Sequence, residues 1–435
     1  MSFKRFFIAL IALPLFMILA AQNYALAEVE SRDNPQEEVT PVQVRVVAET
    51  DVSAQIGDQI MKVGHLNKDD EILVYATDSD NYQFTFGNAY GFIPQSAVTP
   101  AKTSKKDLKI ALANQRKINQ NLITVQQTPI YNQPKENSSV FGMLEANLRY
   151  PIIGRLSGSD GELWYEINIG DNAKYILATD CEPDDGLPVL TYHHILTDKE
   201  NINFRNTSTT TSNTAFDSQM AYLKQAGYQT ISMYQLEGYV KNTINLPAKA
   251  VVLTFDDGLK SVYRYAYPIL KKYDFEATAF IISSRIKRHP QAWDSNSLQF
   301  MSISELEHIR DVFDIQSHTH FLHRFAEKKR PVLLSRSEHN IELDLERSSR
   351  ALSQFNPRVI YVSYPFGGYD ENAIQATKQA NYHMAVTTVK GKVRPGDNPF
   401  TLKRLYILRS DSISDMAERI SNSTFKIKPI APNQD

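Results

Sequence analysis

The stretch Thr254-Phe255-Asp256-Asp257-Gly258 sets two adjacent carboxylates at the end of the apolar run Val251-Val252-Leu253. A buried strand that gives way to a glycine turn lets both face one pocket, where two carboxylates are costly unless a cation neutralises them. About sixty residues on, a second apolar run, Val312-Phe313-Asp314-Ile315, leads into His318-Thr319-His320-Phe321-Leu322-His323. A carboxylate with two imidazoles is the ligand set of an open catalytic zinc site, which keeps a position free for water or substrate. A carboxylate beside a bound cation stays ionised at neutral pH and can accept a proton from water, so the chemistry predicted is metal-assisted hydrolysis. Alone, an Asp-Asp-Gly triplet is an ordinary turn; the histidines at the end of a second strand are what make it chemical.

The elements that must position these residues alternate along the chain. Residues 187–192 read as a buried strand, and 216–226 as a helix with Phe216, Met220 and Leu223 on one face and Gly227 as its stop. A strand at 251–255, a helix at 262–273 and a strand at 277–282 follow, and Ser302 with Glu305 forms a capping box for the next helix. Strands at 313–316, 359–363 and 383–387, with helices at 333–355 and 371–380, continue the pattern. Such alternation predicts a parallel sheet. Each suspect motif falls at the carboxyl end of a strand, where barrel enzymes place their chemistry.

Together the TFDDG stretch and the histidine motif resemble the polysaccharide deacetylase family (the NodB-homology domain, carbohydrate esterase family 4-like) over about residues 186 to 425. The branch most resembled is the one that deacetylates poly-N-acetylglucosamine, whose motif histidines stand five apart, as His318 and His323 do; the four-apart spacing of other members would land on Leu322, which cannot coordinate a metal. The resemblance implies an α/β distorted (β/α) barrel and one divalent ion, zinc by default with cobalt or nickel tolerated, held by Asp257, His318 and His323. It makes Asp256 the general base, His320 a bystander and Thr319 a residue that holds the loop.

Tyr364-Pro365-Phe366-Gly367-Gly368 resembles the family's third motif, in which a backbone N–H, here that of Phe366, points at the developing oxyanion. Most members begin that motif with an arginine. Ser363-Tyr364 stands there instead, so the base's charge partner must be absent or come from elsewhere, with Arg404 or Asp397 as weaker candidates. The region where the family usually carries its acid reads Arg404-Leu405-Tyr406-Ile407, with no histidine. In the branch favoured here a Tyr-His near the domain start takes that role, which implies His193 of Tyr192-His193-His194 as general acid, with His194 as the alternative. Trp293, in the 287–299 loop, either lines a sugar groove by stacking or caps a local core.

Residues 1–27 read as an export signal: Lys4 and Arg5, an uncharged run at 6–21, and Ala25-Leu26-Ala27 before Glu28. That expectation places the protein outside the cytoplasm, as an extracellular, wall-associated or periplasmic protein. An uncleaved anchor is the alternative, although the apolar run falls short of the ~20 residues that span a bilayer. A polar leader occupies 28–40. Residues 41–100 and 121–184 have the alternation and glycine punctuation of two small all-β units and resemble bacterial SH3-like domains, which implies binding to a cell-wall polymer or, more plainly, spacing of the enzyme. A lysine-bearing linker at 101–120, a deacetylase domain at 185–428 and a tail at 429–435 complete the division. The single cysteine, Cys181, excludes an internal disulfide and reads as a small buried hydrophobe. A formal charge of −2 gives no reason to expect a nucleic-acid partner, and nothing in the chain sets an oligomeric state. The sequence thus predicts an exported metal-dependent N-deacetylase acting on N-acetylglucosamine-type residues of an exopolysaccharide or cell-wall glycan. A peptidoglycan N-deacetylase and a wall-binding scaffold without catalysis are the alternatives.

Overall fold

The computed structural model describes residues 41–422 apart from 78–79, 102–117, 136 and 160. The export signal, the leader, most of the linker and the tail expected above lie outside the described residues.

The C-terminal half is built on seven parallel strands: β1 (Val189–Tyr192), β2 (Ala250–Phe255), β3 (Ala277–Ile281), β4 (Phe313–Ser317), β5 (Tyr361–Ser363), β6 (Met384–Lys390) and β7 (Leu402–Tyr406). Each pairs in parallel with the next along the chain, and β7 returns to β1. The sheet therefore closes into a ring without edges. The ring is irregular, because β4 and β5 meet only at Ser317 and Val362.

Strand side chains alternate between faces, and this parity sorts the sequence into an outer and an inner set. Val251, Leu253 and Phe255 of β2 point outward into a core shared with Phe216, Leu270, Leu345 and Ala373 of the surrounding helices. Val252 points inward with Val189, Phe280, Tyr361, Met384 and Leu402, and the helix Met233–Val240 plugs this end of the lumen with Met233, Leu236 and Tyr239. A fully buried side chain of this size contributes about 1.5–3 kcal/mol, so both faces hold the register and a one-residue slip would invert them. The rest of the lumen is polar, with Thr191, Thr254, Gln316, Ser363 and Arg404 all buried.

Helix starts follow their caps: Ser302 and Glu305 form the expected capping box, and Ser212, Ser232 and Ser337 cap three more helices. The helix expected at 262–273 opens instead as a π-turn, Val262–Ala266, before the α-helical Tyr267–Tyr273. Among the described residues no helix is long and apolar enough to cross a membrane.

Upstream, the two all-β segments interleave. The Gln59–Leu66 strand of the first pairs with the Val140–Leu144 strand of the second, and Phe86 meets Ile169. One apolar cluster takes in Val52, Phe84 and Phe86 from one segment and Phe141, Tyr150 and Ile167 from the other, with Cys181 buried at its margin. Where the two strands cross stand Gly64 and Gly142; a Cβ on either would collide with the backbone carbonyl of Met143 or His65, so this close approach requires glycine at both.

This β half is seated on the amino ends of the barrel strands. Leu246–Pro247, which leads into β2, pairs with Leu148–Pro151. Buried Arg149 is ion-paired to Asp184, just before β1, and donates to the Ala248 carbonyl at 2.9 Å. The Tyr239 hydroxyl completes the cluster by donating to Asp184 at 2.9 Å.

Candidate metal centre and active site

Parity carries the inward row of each strand past its carboxyl end. Thr191 leads to His193, Thr254 to Asp256 and Gln316 to His318, while Arg404 stands on the inward row within β7 itself. Asp257, one step out of phase, is returned toward the lumen by a left-handed turn, φ 75°, with Gly258 at φ 78°. Thr319 after β4 (φ 67°) and Phe366 after β5 (φ 56°) share that conformation. Each left-handed non-glycine residue costs about 1–3 kcal/mol and persists only where its surroundings over-determine it. Strain of this kind at the exits of three strands marks one rim of the barrel.

Asp257, His318 and His323 offer ligand atoms that all lie within 4.8 Å of one another. His318 Nε2 is 3.7 Å and His323 Nε2 3.4 Å from Asp257 Oδ1, and the two imidazole centroids are 4.5 Å apart. His318 is buried, and its Nδ1 lies 2.7 Å from the Ser363 carbonyl. Only a protonated Nδ1 satisfies that carbonyl, which leaves the Nε2 lone pair directed at the cluster, as a metal-ligating histidine requires. Burial, then the neighbouring His318, pushes His323 down to about 2, so its ring is neutral. Buried Asp257 Oδ1 finds no hydrogen-bond donor among the described residues. A carboxylate oxygen without a donor, facing the Nε2 atoms of two histidines, fits a divalent cation with mixed nitrogen and oxygen ligands.

Beside this triad the Asp256 carboxylate is gripped by a fork. Arg404 donates from Nη1 to Oδ1 at 2.9 Å and from Nη2 to Oδ2 at 2.8 Å, and Ser363 Oγ donates to Oδ2 at 3.0 Å. Arg404 also holds Thr254 Oγ1 and the Thr387 carbonyl, at 3.2 and 2.9 Å. Burial alone would push the Asp256 carboxyl up; the Arg404 charge and hydrogen bonds, with His318 and His193, outweigh it and hold the group well below the usual carboxylate range. The carboxylate is thus ionised at neutral pH, and its Oδ2 stands 3.9 Å from His318 Nε2 and 4.0 Å from His193 Nε2.

His193 forms the opposite wall, stacked on Tyr406 with centroids 5.6 Å apart. Burial lowers its pKa, partly opposed by Asp256 and Asp257. At the third motif, Gly367 and Gly368 close their turns on the Tyr364 and Pro365 carbonyls at 2.9 and 3.0 Å, and the Phe366 amide takes no part in them. The Phe366 ring lies 4.4 Å from His323 and stacks on Phe325 at 3.7 Å.

Other expected residues fall elsewhere, and parity explains two of them. Tyr364 lies on the outward row of β5: its ring stacks on Tyr369 and its hydroxyl reaches Thr377 at 3.3 Å, so the side chain belongs to the helix layer while Ser363 faces the lumen. His194 is likewise outward, 2.7 Å from Ser261 Oγ. His320 turns to Ser283 Oγ at 2.9 Å. Trp293 donates to Glu200 at 3.1 Å and meets Tyr265 edge-on at 5.8 Å, which is the local cap rather than the groove lining. Asp397 closes a turn on the Arg394 amide at 3.0 Å. Arg404, offered with Asp397 for the missing motif arginine, is the one that reaches Asp256. Ser363 and Tyr406 are additions to the expected set; the inward rows Tyr361-x-Ser363 and Leu402-x-Arg404-x-Tyr406 carried the signal.

Residues 243–385 match the family model described as polysaccharide deacetylase. The poly-β-1,6-N-acetyl-D-glucosamine N-deacetylase of Staphylococcus aureus is 26% identical over 211 residues, which cover 48% of this chain and 71% of that protein. A putative polysaccharide deacetylase of Bacillus subtilis is 27% identical over 225 residues, 51% of this chain and 71% of its own. Among solved structures, IcaB from Ammonifex degensii superposes with a TM-score of 0.47 at 28% identity, over 55% of this chain and 97% of its own. The chain therefore carries a polysaccharide deacetylase domain. Asp256, Asp257, His318, His323 and Phe366 lie inside the matched segment, whereas His193 and Arg404 lie outside it.

Proposed function

We propose that this protein is an exported, divalent-metal-dependent deacetylase that removes N-acetyl groups from N-acetylglucosamine-type residues of an extracellular polysaccharide, with a poly-β-1,6-linked N-acetylglucosamine polymer as its principal substrate. One observation carries the reading: the ligand atoms of Asp257, His318 and His323 meet within 4.8 Å, beside an ionised Asp256 clamped by Arg404. The similarity to a poly-N-acetylglucosamine deacetylase supports the substrate class, and the pattern of residues 1–27 supports export.

Asp257, His318 and His323 would hold the ion, which when bound supplies a Lewis acid that polarises the acetyl carbonyl and makes water easier to deprotonate. The chain's own residues do the rest. Asp256 Oδ2 accepts the proton of the attacking water, and Arg404 fixes the carboxylate so that this oxygen stays aimed at the cluster. The Phe366 amide, held in its left-handed turn, is available to the oxyanion that forms as the carbonyl is attacked. As the C–N bond breaks, the departing nitrogen takes a proton from His193 Nε2, giving acetate and a free amine. Burial keeps His193 neutral in the resting site, so it can donate only after the proton that Asp256 took from the water has passed to its Nε2, 4.0 Å from Asp256 Oδ2.

Acetate release by the purified protein, measured side by side on a soluble β-1,6-linked N-acetylglucosamine oligomer and on purified sacculi, tests the proposal. Zinc-, cobalt- and nickel-loaded protein should release acetate from the oligomer, and chelator should abolish it. Release from sacculi alone would redirect the substrate to peptidoglycan. No release from either, with the metal bound, would end the hydrolase reading.

A further inference from the structure

The span from His318 to His323 has no regular secondary structure, so its backbone polar groups need partners from outside it. Its amides at His320 and Phe321 both donate to one carboxylate, Asp344, at 2.8 Å to Oδ1 and 2.8 Å to Oδ2. Asp344 sits on the helix Glu338–Leu352, is buried at 5% exposure, and belongs to none of the motifs. From the other side, the turn after β3 holds the span's carbonyls: the Ser283 amide reaches Thr319 O at 3.2 Å, Ser284 Oγ reaches His320 O, and Arg285 Nη2 reaches His323 O at 3.0 Å. The Thr319 amide, in its left-handed conformation, is taken by Ser317 Oγ at 3.1 Å.

The two histidines are thus presented from a loop whose shape is imposed by its neighbours. A carboxylate that accepts two consecutive amides is a charge-assisted, two-point clamp and fixes both position and orientation. We propose that Asp344 is the positioning residue of the metal loop: its bidentate grip on the His320 and Phe321 amides sets where His323 stands relative to His318 and Asp257, and thereby sets metal affinity. The inference rests on the metal reading above.

Metal titration of the full chain tests it, with zinc and with cobalt, whose visible absorption also reports ligand geometry. Asp344→Ala removes both amide contacts and should raise the metal Kd by about 10–100-fold, the range found when residues supporting metal ligands are lost. Asp344→Asn, nearly isosteric, keeps one acceptor oxygen and sets an NH2 against the second amide; it should fall between wild type and Asp344→Ala and serves if the alanine variant does not fold. Leu345→Ala, in the same helix and fully in the core, should lower Tm while leaving the Kd within about twofold and the cobalt spectrum unchanged. The inference is overturned if both Asp344 variants bind metal as wild type does, or if Leu345→Ala weakens binding as much as Asp344→Ala. Wild-type protein that binds no metal would instead remove the metal reading itself, and this inference with it.

Discussion

The two ends of the barrel spend their polar groups differently. At the amino ends of the strands, Arg149 is held by Asp184, Tyr239 and the Ala248 carbonyl, with only its Nε left without a partner among the described residues, and the β half covers the joint. At the carboxyl ends, Asp257 Oδ1, His193 Nδ1 and His323 Nδ1 are buried without partners among the described residues, and Asp257, Thr319 and Phe366 hold left-handed backbones. The amino end is closed by ion pairing; the carboxyl end stores strained backbone and most of the unmet hydrogen-bonding capacity, as sites built for a ligand do. Both ends use a buried arginine–aspartate pair, so the contrast lies in what surrounds the pair.

Removing one ligand should separate the ends most sharply. Asp257→Ala should cut acetate release on the order of 10⁴-fold or more, since several kcal/mol of charge stabilisation goes with the ion, while Tm in chelator stays about level, because loss of the orphaned carboxylate offsets the poorer fit of alanine to the left-handed backbone. A large fall in that Tm would mean that the carboxyl end is no less stabilising than the other.

The two arginines offer the next comparison. Arg149→Ala and Arg404→Ala each leave a buried carboxylate alone and should each cost about 3–5 kcal/mol in denaturant unfolding. Only Arg404→Ala should also lower kcat in the protein that remains folded. The sign with pH follows from Asp256, whose folded-state pKa is depressed: the pair's stabilisation is fully present above the unfolded value of about 3.9 and is lost as pH falls below it toward the folded value. Wild type should therefore unfold in acid more steeply than Arg404→Ala, and parallel acid unfolding curves would contradict the assignment.

His193→Gln should reduce kcat by about 10²–10⁴-fold with little change in metal affinity, as loss of a general acid does; a substrate whose leaving group needs no proton should recover much of the rate. His320→Ala should have the smallest effect, below about tenfold in kcat, because its ring turns to Ser283. An effect rivalling that of His193→Gln would draw His320 into the catalytic group.

Much of this was legible in the sequence because the strands of the closed ring are short apolar runs, and each motif follows one. TFDDG and the histidine motif, through the family they resemble, singled out Asp256, Asp257, His318 and His323, and the fold brings these four together. What escaped was the lumen. Strand β7 was not anticipated, since Lys403-Arg404 reads as surface charge, yet Lys403 faces out and Arg404 lies fully buried across the lumen against β2 and β5. Tyr364 enters the expected set because its stretch resembles the family's third motif; counting parity on from Tyr361 turns its side chain to the helix layer and sets Ser363 in the lumen. The shared core of the two β segments depends on Gly64 and Gly142 meeting across more than seventy residues, a pairing that no local pattern encodes.

Arg404 and Asp256 are separated by 148 residues along the chain, and β7, which carries the arginine, is the last strand of the ring in chain order and pairs back onto the first. Without that strand Asp256 has no arginine counter-ion to fix its direction. Hydrolytic competence is therefore a property of the finished molecule alone: a half-folded or truncated copy can display the Asp-Asp-Gly and histidine motifs and still be inert.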